Sequence, residues 1–459
     1  MGILALLSFL LLLSDSIHAD LPTLQPGSDP SLLPKAGISV PLSAKVPRRN
    51  SKKNARADLR GKQSRSDTVH VDGSFDNEYL VNITVGGHPF QVILDTGSSD
   101  IWVTNDNFTC VDANRNPVTA ATCNFGPAKF DPGESATFEL FPNTTFFVQY
   151  GSGEFLRGPA GFDTIAIGDL AVTHQEFGVP GQNHFFGDGV SEGVIGLAFS
   201  ALTSVYNATS QNPYTPFFLN AVQQNGLKRP YFSLSLNRPT FEQATNDPFI
   251  PNLGLLAFGG TVDVPVLNTS VMVPIQGYMS TSSVPSNSSD ARFLWYTIDI
   301  DAYTFPGSNS VPTNSNNTIL DSGSTFNWVP TAVAAAYNAL FTPPATLDDD
   351  LMYVVPCNAT APAFAVVVGG KSFVIDPRDQ VVLFELSCVV AICELSYGLR
   401  LVRRKPPTVD FRPNFVSSRA LPICQDDKLK TRDGAVIYTL HHPGSISFLQ
   451  SFGRPFVHR

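Results

Sequence analysis

Charge is scarce in this chain: Asp, Glu, Lys and Arg make up 15% of its 459 residues. Basic residues are scarcest in the middle, where residues 66–387 hold nine Lys and Arg against thirty Asp and Glu. So acidic a surface repels phosphate backbones and anionic lipids, which excludes nucleic acid as an expected partner. No CxxC pair occurs among the six cysteines (Cys110, Cys123, Cys357, Cys388, Cys393 and Cys424). A zinc-type site is therefore not expected, and neither a metal nor a cofactor is called for. Beyond residue 13 no run reaches the roughly 18 apolar residues of a spanning helix, so no membrane anchor is expected.

What is abundant is aromatic and turn-forming. Hydrophobic residues make up 43%, with 34 Phe, 34 Gly and 36 Pro. This composition favours a β-rich, turn-dense globular chain over a helical or disordered one, and the length suffices for two or three full cores. Residues 3–13 (ILALLSFLLLL), followed by Ile17-His18-Ala19, read as a signal peptide spanning 1–19. Residues 20–67 are Pro-rich and then basic, and residues 1–65 carry a balance of +6. Eight Asn-x-Ser/Thr sequons, at Asn82, Asn107, Asn143, Asn207, Asn268, Asn287, Asn316 and Asn358, fit an exported glycoprotein.

The most informative stretch is 90–103, FQVILDTGSSDIWV. Val92-Ile93-Leu94 read as a buried strand that breaks at a Gly-containing turn and delivers one carboxylate, Asp95, at its end. A carboxylate there is partly desolvated and needs donors, which Thr96, Gly97 and Ser98 supply. Residues 319–326, ILDSGSTF, repeat the pattern with Asp321, Ser322, Gly323 and Ser324. Two copies about half a chain apart read as an internal duplication: two β-lobes, each giving one carboxylate to a shared cleft.

This double signature, with Trp102 following the first copy, resembles the pepsin-like aspartic proteases, most closely the secreted fungal acid proteases. The resemblance covers roughly residues 75–390. It implies an all-β, bilobal fold with an N-terminal lobe over 68–240 and a C-terminal lobe over 241–388. It implies a secreted, or alternatively vacuolar, monomeric endopeptidase acting on proteins or peptides at acidic pH. Asp95 and Asp321 would share one proton, activate a water and polarise the scissile carbonyl. Ser98 and Ser324 would bond the outer carboxylate oxygens. Residues 145–156 read as a hairpin with Tyr150 and Gly151 at its tip; the resemblance makes it a flap, with Trp102 as the partner of Tyr150 and Ile93 lining a pocket. It further implies the disulfides Cys110–Cys123 and Cys357–Cys388, and a zymogen whose basic pro-segment over 20–67 neutralises the cleft.

Between Val71 and Cys388 the elements expected are a hairpin over 78–94, helices over 216–227 and 331–340, strands over 231–236 and 293–300, and a hairpin over 364–375. The weak Gly193–Leu197 signal resembles a strand threading beside the first Asp loop. A second apolar-apolar-Gly strand should follow Cys388, and residues 389–459 contain none. They are read as a basic, disordered tail that leaves the second lobe incomplete at its C-terminal end. The alternative function is an inactive or truncated paralogue serving as a binding or inhibitor protein.

Overall fold

The computed structural model describes residues 67–395, except 75–77, 209, 226, 228, 238–248, 265, 277–292, 309–310, 313–316, 325, 349–351 and 385–386, together with 436–441 and 445–451. The signal-peptide reading and the pro-segment up to residue 66 lie outside the described residues, as do Asn287, Asn316 and Cys424. Strands dominate and helices are few and short. The fold is the expected all-β, pepsin-like one.

The chain enters through β1 (Asp67–Ser74), then runs through β2 (Glu78–Val85) and β3 (His88–Asp95). β2 and β3 pair antiparallel with Val85 opposite His88, so Gly86-Gly87 form a two-residue hairpin loop. Both glycines have positive φ, +58° and +86°, as a type I′ turn needs to match the twist of its strands. β4 (Ile101–Val103) follows the first Asp loop. A second hairpin, β5 (Thr144–Gln149) and β6 (Phe155–Gly158), has Tyr150 just past its first strand. β7 (Gly193–Gly196) is inserted between β3 and β4, parallel to the first and antiparallel to the second. All four of its residues are buried, which is why a run as short as Gly-Val-Ile-Gly suffices as a strand.

β8 (Tyr231–Leu236), β9 (Phe249–Phe258) and β10 (Val266–Pro274) come next. β9 pairs with both β1 and β8, so the sheet continues across the 240/241 boundary expected between the lobes. In the second half, β11 (Thr297–Asp299) pairs with β12 (Asn317–Ile319), and β13 (Asn327–Pro330) pairs with β14 (Ile392–Leu395). The 293–300 stretch is a strand only over Thr297–Asp299; Leu294, Trp295 and Tyr296 lie in irregular backbone. Helices form over Phe217–Asn225 and Thr331–Asn338, within the expected spans. The second begins directly after Pro330, and its buried Asn338 donates to Ala334 O at 2.9 Å and Ile392 O at 3.0 Å. This ties it to β14. The hairpin over Phe364–Val368 and Lys371–Ile375 turns at Gly369-Gly370.

Of the described residues in 389–459, all but Ala391 are in sheet. β14 belongs to this stretch, and so do β15 (Val436–His441) and β16 (Ser445–Ser451). β15 pairs antiparallel with β8 and β16 with β10, so the order β10-β16-β15-β8-β9-β1 forms one side of a thirteen-stranded sheet. The reading of this region as a disordered tail is corrected for those residues. The physical reason is that open edges on β8 and β10 present unpaired N–H and C=O groups, and two short alternating segments satisfy them.

The core between these layers is aromatic. Phe258 lies 6.3 Å from Phe217, 6.0 Å from Phe218 and 6.3 Å from Phe232, and Phe232 lies 5.6 Å from Tyr296. All five are buried to below 2% exposure. Cys110 is joined to Cys123 and Cys357 to Cys388, while Cys393 is a buried free thiol. Phe258→Ala removes the ring at the centre of this cluster. It should lower stability by about 3–5 kcal/mol in a denaturant titration, whereas a loss under ~1 kcal/mol would show that the cluster is not a tightly packed core.

Candidate active site

β3 lies between β2 and β7, so Val92 and Leu94 are fully buried and Asp95 emerges at the strand's end with 8% exposure. Its carboxylate is met by local donors. Gly97 N–H donates to Asp95 Oδ1 at 2.7 Å, and the Ser98 hydroxyl donates to Oδ2. β12 leads in the same way to Asp321, whose Oδ1 accepts from Gly323 N–H at 2.8 Å.

The two loops interlock. Thr96 N–H donates to Ser322 Oγ at 3.0 Å, and Ser322 N–H donates to Thr96 Oγ1 at 3.0 Å. The Thr96 hydroxyl then donates to Leu320 O at 2.8 Å, and the Ser322 hydroxyl to Leu94 O at 2.6 Å. Four buried bonds thus bind residues 224 to 228 positions apart in sequence in a reciprocal pattern. Each carboxyl rests on the glycine of the opposite loop. A Cβ on Gly97 would come 2.4 Å from Asp321 Cγ, and one on Gly323 would come 2.7 Å from Asp95 Oδ1. Only glycine allows this approach.

Such closeness has an electrostatic consequence. Burial first, and the adjacent Asp95 charge second, push the Asp321 carboxyl well above the usual carboxylate range, while the Gly323 N–H works in the other direction. A pair in hydrogen-bonding contact, with one member held as the acid, can pass a proton to a bound group and take one back.

Trp102 is fully buried, and its indole N–H donates to the Tyr150 hydroxyl at 2.7 Å. Burial pushes the Tyr150 phenol up, so it remains a neutral donor over any working pH. Gly151 at the hairpin tip is exposed, with no atom within 4 Å of where its Cβ would stand. Ile93 shares an apolar cluster with Trp102, Val148 and Phe185, against which Tyr150 packs. Phe125 stacks on Phe185 at 5.4 Å, giving this side of the cleft an aromatic wall.

Ser324 departs from expectation. Its hydroxyl donates to Phe326 O at 3.1 Å, where a bond to Asp321 mirroring that of Ser98 was anticipated. The first loop is held by β7, whose neighbours Leu197 N–H and Ala198 N–H donate to Asp95 O and Ser98 O at 2.8 Å each. Among the described residues no strand lies in that position beside β12. Sequence reasoning also missed Trp295, whose indole N–H donates to Gly97 O at 2.8 Å, and Tyr296, whose hydroxyl donates to Leu197 O at 2.9 Å. Both come from the second half of the chain and brace the first loop. The aromatic run at 293–296 was their only signal. Among the described residues no group of three or more His, Cys, Asp or Glu could hold a metal ion.

Comparison with known proteins gives a consistent picture. A family model described as eukaryotic aspartyl protease matches residues 78–400. A probable aspartic-type endopeptidase of Aspergillus fumigatus is 34% identical over 359 residues, covering 75% of this chain and 76% of that protein. Endothiapepsin of Cryphonectria parasitica is 27% identical over 355 residues, covering 76% and 72%. Vacuolar protease A of Aspergillus fumigatus is 26% identical over 342 residues, covering 73% and 74%.

Two buried acids behind the first loop make stability depend on pH. Asp100 accepts from Ser204 N–H at 2.8 Å and from the Tyr214 hydroxyl at 2.7 Å, yet burial pushes it up to about 6. Burial, and then the Asp100 charge, push Glu176 up to about 7. In the unfolded chain both ionise near pH ~4, so between there and their folded values the unfolded state binds fewer protons. Stability therefore falls as pH rises through that window, by at most about 1.4 kcal/mol per pH unit for Asp100 and by less for Glu176. Chemical denaturation at about pH 4 and about pH 7 should show a smaller loss for Asp100→Asn with Glu176→Gln than for the unmodified chain; equal losses contradict this assignment. Thr96→Val and Ser322→Ala should each cost about 1–3 kcal/mol, with strong non-additivity when combined. Simple addition in a double-mutant cycle would mean that the four bonds do not act as one unit.

Proposed function

Because the chain belongs to the eukaryotic aspartyl protease family, we propose that Asp95 and Asp321 are the catalytic pair of a secreted endopeptidase working in acid. The chain is an aspartic-type, pepsin-like hydrolase whose substrates are proteins or peptides. The observation that carries the residue assignment is the crossed contact, each carboxyl lying on the other loop's glycine with Asp321 held as the acid.

The ionised Asp95 carboxylate takes a proton from a water lying between the pair. Asp321 donates its proton toward the scissile carbonyl oxygen, and the water oxygen attacks the carbonyl carbon. Collapse of the tetrahedral intermediate breaks the C–N bond as Asp95 gives its proton to the leaving nitrogen and one hydroxyl of the intermediate gives its proton back to Asp321, re-forming the carbonyl. The pair ends with one proton, as it began. Gly97 N–H and the Ser98 hydroxyl keep the Asp95 carboxyl plane fixed, and Thr96 and Ser322 keep the loops at their separation. Tyr150, on the β5–β6 hairpin, closes over the substrate and excludes water while Trp102 holds its hydroxyl. Ile93 contributes to the apolar pocket beside the scissile bond.

The leading 1–19 segment directs export, with the vacuole as the alternative destination that the Aspergillus fumigatus vacuolar protease A suggests. The basic 20–67 segment is a pro-segment that sits on the acidic cleft by charge and leaves when the carboxylates protonate.

Purified chain incubated with an unfolded protein from about pH 3 to about pH 7 should cut internally and fastest in acid, with Asp95→Asn and Asp321→Asn each losing at least about 10²–10⁴-fold in rate. Near-normal turnover by either variant contradicts the pair. N-terminal sequencing after acid treatment should find a new start within 48–70. An active product still beginning at Asp20 would remove the pro-segment from the account.

A further inference from the structure

β6, the second strand of the hairpin that carries Tyr150, is zipped to the strand Gln182–His184 beside it. That ladder sets Gln182 opposite Arg157, Asn183 opposite Leu156 and His184 opposite Phe155, and there it ends. The hairpin's own last pair is Gln149 with Phe155, so Tyr150 to Glu154 form its tip. Chain neighbours aside, neither Gly151 nor Gly153 has an atom within 4 Å of where its Cβ would stand. Two backbone bonds close the tip: Tyr150 N–H donates to Glu154 O at 2.9 Å, and Gly153 N–H to Tyr150 O at 3.0 Å. Tyr150 and Glu154 are therefore coupled through the backbone. Where the ladder stops, a side chain takes over. Phe186 N–H donates to Glu154 Oε1 at 2.7 Å, in the place of a further backbone rung. The Ser152 hydroxyl donates to the other oxygen, Oε2, at 2.6 Å.

We propose that Glu154 is a positioning residue for hydrolysis: its carboxylate latches the tip of the β5–β6 hairpin to the wall of the cleft and sets where Tyr150 stands. The inference rests on the reading of that hairpin as the cover of the active site. Both ends of the latch lie next to Tyr150. On the hairpin side, Glu154 is bonded to Tyr150 through the backbone. On the wall side, Phe186 follows Phe185, whose ring lies 6.4 Å from that of Tyr150 and 5.3 Å from that of Trp102. One side chain thus holds the residue that covers the substrate and the segment whose ring it rests on. The requirement is for an acceptor at the right reach. A Gln amide has the same length, its oxygen accepting from Phe186 N–H and its nitrogen donating to the Ser152 hydroxyl. Asp is one methylene shorter and falls short of Phe186. Negative charge is not needed at this place. Burial first, then Asp188 beside it and the Glu154 charge, push the Glu78 carboxyl well above the usual carboxylate range, so the latch faces other acids and a neutral acceptor relieves repulsion.

The full chain is compared with Glu154→Ala, Glu154→Asp and Glu154→Gln in two measurements. In steady-state hydrolysis of an unfolded protein, the Ala and Asp variants should raise KM about tenfold while kcat stays within about twofold, as for a contact made equally in the ground and transition states. Glu154→Gln should bring KM back to within about twofold of the unmodified chain. Hydrogen exchange at the Phe186 amide, without substrate, should be at least about tenfold faster in the Ala and Asp variants and stay slow in Glu154→Gln. An unchanged KM in Glu154→Ala overturns the proposal, and so does a Gln variant as impaired as the Ala variant. Equal exchange at Phe186 in all four chains also overturns it, because the amide is then held by something else. A slow Phe186 amide that Glu154→Ala releases, in a chain that cuts nothing, would contradict the hydrolytic reading and leave the latch standing.

Discussion

Gly97 and Gly323 are each covered by the carboxyl group of the opposite loop, and the rest of the structure depends on that crossed contact being held. Bringing two carboxylates together is electrostatically unfavourable, so the loops have to be forced into register by other bonds. The reciprocal pair Thr96 and Ser322 supplies them, buried and directed at backbone atoms of the opposite strand. Trp295 and Tyr296 add two bonds from the second half onto the first loop and its neighbour. The energy that aligns the acids is therefore spread over groups that do not themselves titrate at working pH.

The sheets explain why the loops can be so short. β3 and β4 flank β7, which carries apolar side chains only between two glycines, and its neighbours return three backbone bonds to residues 95, 98 and 100. The first loop is consequently clamped from behind. The second has the helix over Thr331–Asn338 and β14 below it but no described strand in the equivalent slot. The Ser324 hydroxyl turns to Phe326 O, and Trp328 is exposed where its counterpart Trp102 is covered by Phe125 and Phe185. Buried acids sit behind the clamped loop, so its stability is coupled to protonation in the same direction as a reaction that needs one carboxyl kept as the acid.

Much of this was legible in the sequence because it is written locally. The alternation of Glu78–Val85 around a Gly-Gly turn, the apolar runs ahead of Asp95 and Asp321, and a helix opened by Pro330 all act over a few residues. The hairpin bearing Tyr150 is equally local. What stayed hidden depends on partners far away. β15 and β16 are short, and their register comes from edges on β8 and β10 that lie some two hundred residues earlier. Trp295 is one aromatic among several until Gly97 O is placed beside it. The hydroxyl of Ser324 looks equivalent to that of Ser98 in the motif, and only its bond to Phe326 O distinguishes the two.

The central claim is that Asp321 is held as the acid by burial and by the charge of Asp95 beside it. Carbon-13 NMR of chain labelled at the aspartate carboxyl carbons, followed across the acid range, reads this directly. The account predicts that the Asp321 signal keeps its protonated position well above the usual ~4 and moves to a lower midpoint when Asp95→Asn removes the neighbouring charge. An Asp321 midpoint in the ordinary carboxylate range, or one that does not respond to Asp95→Asn, would contradict it.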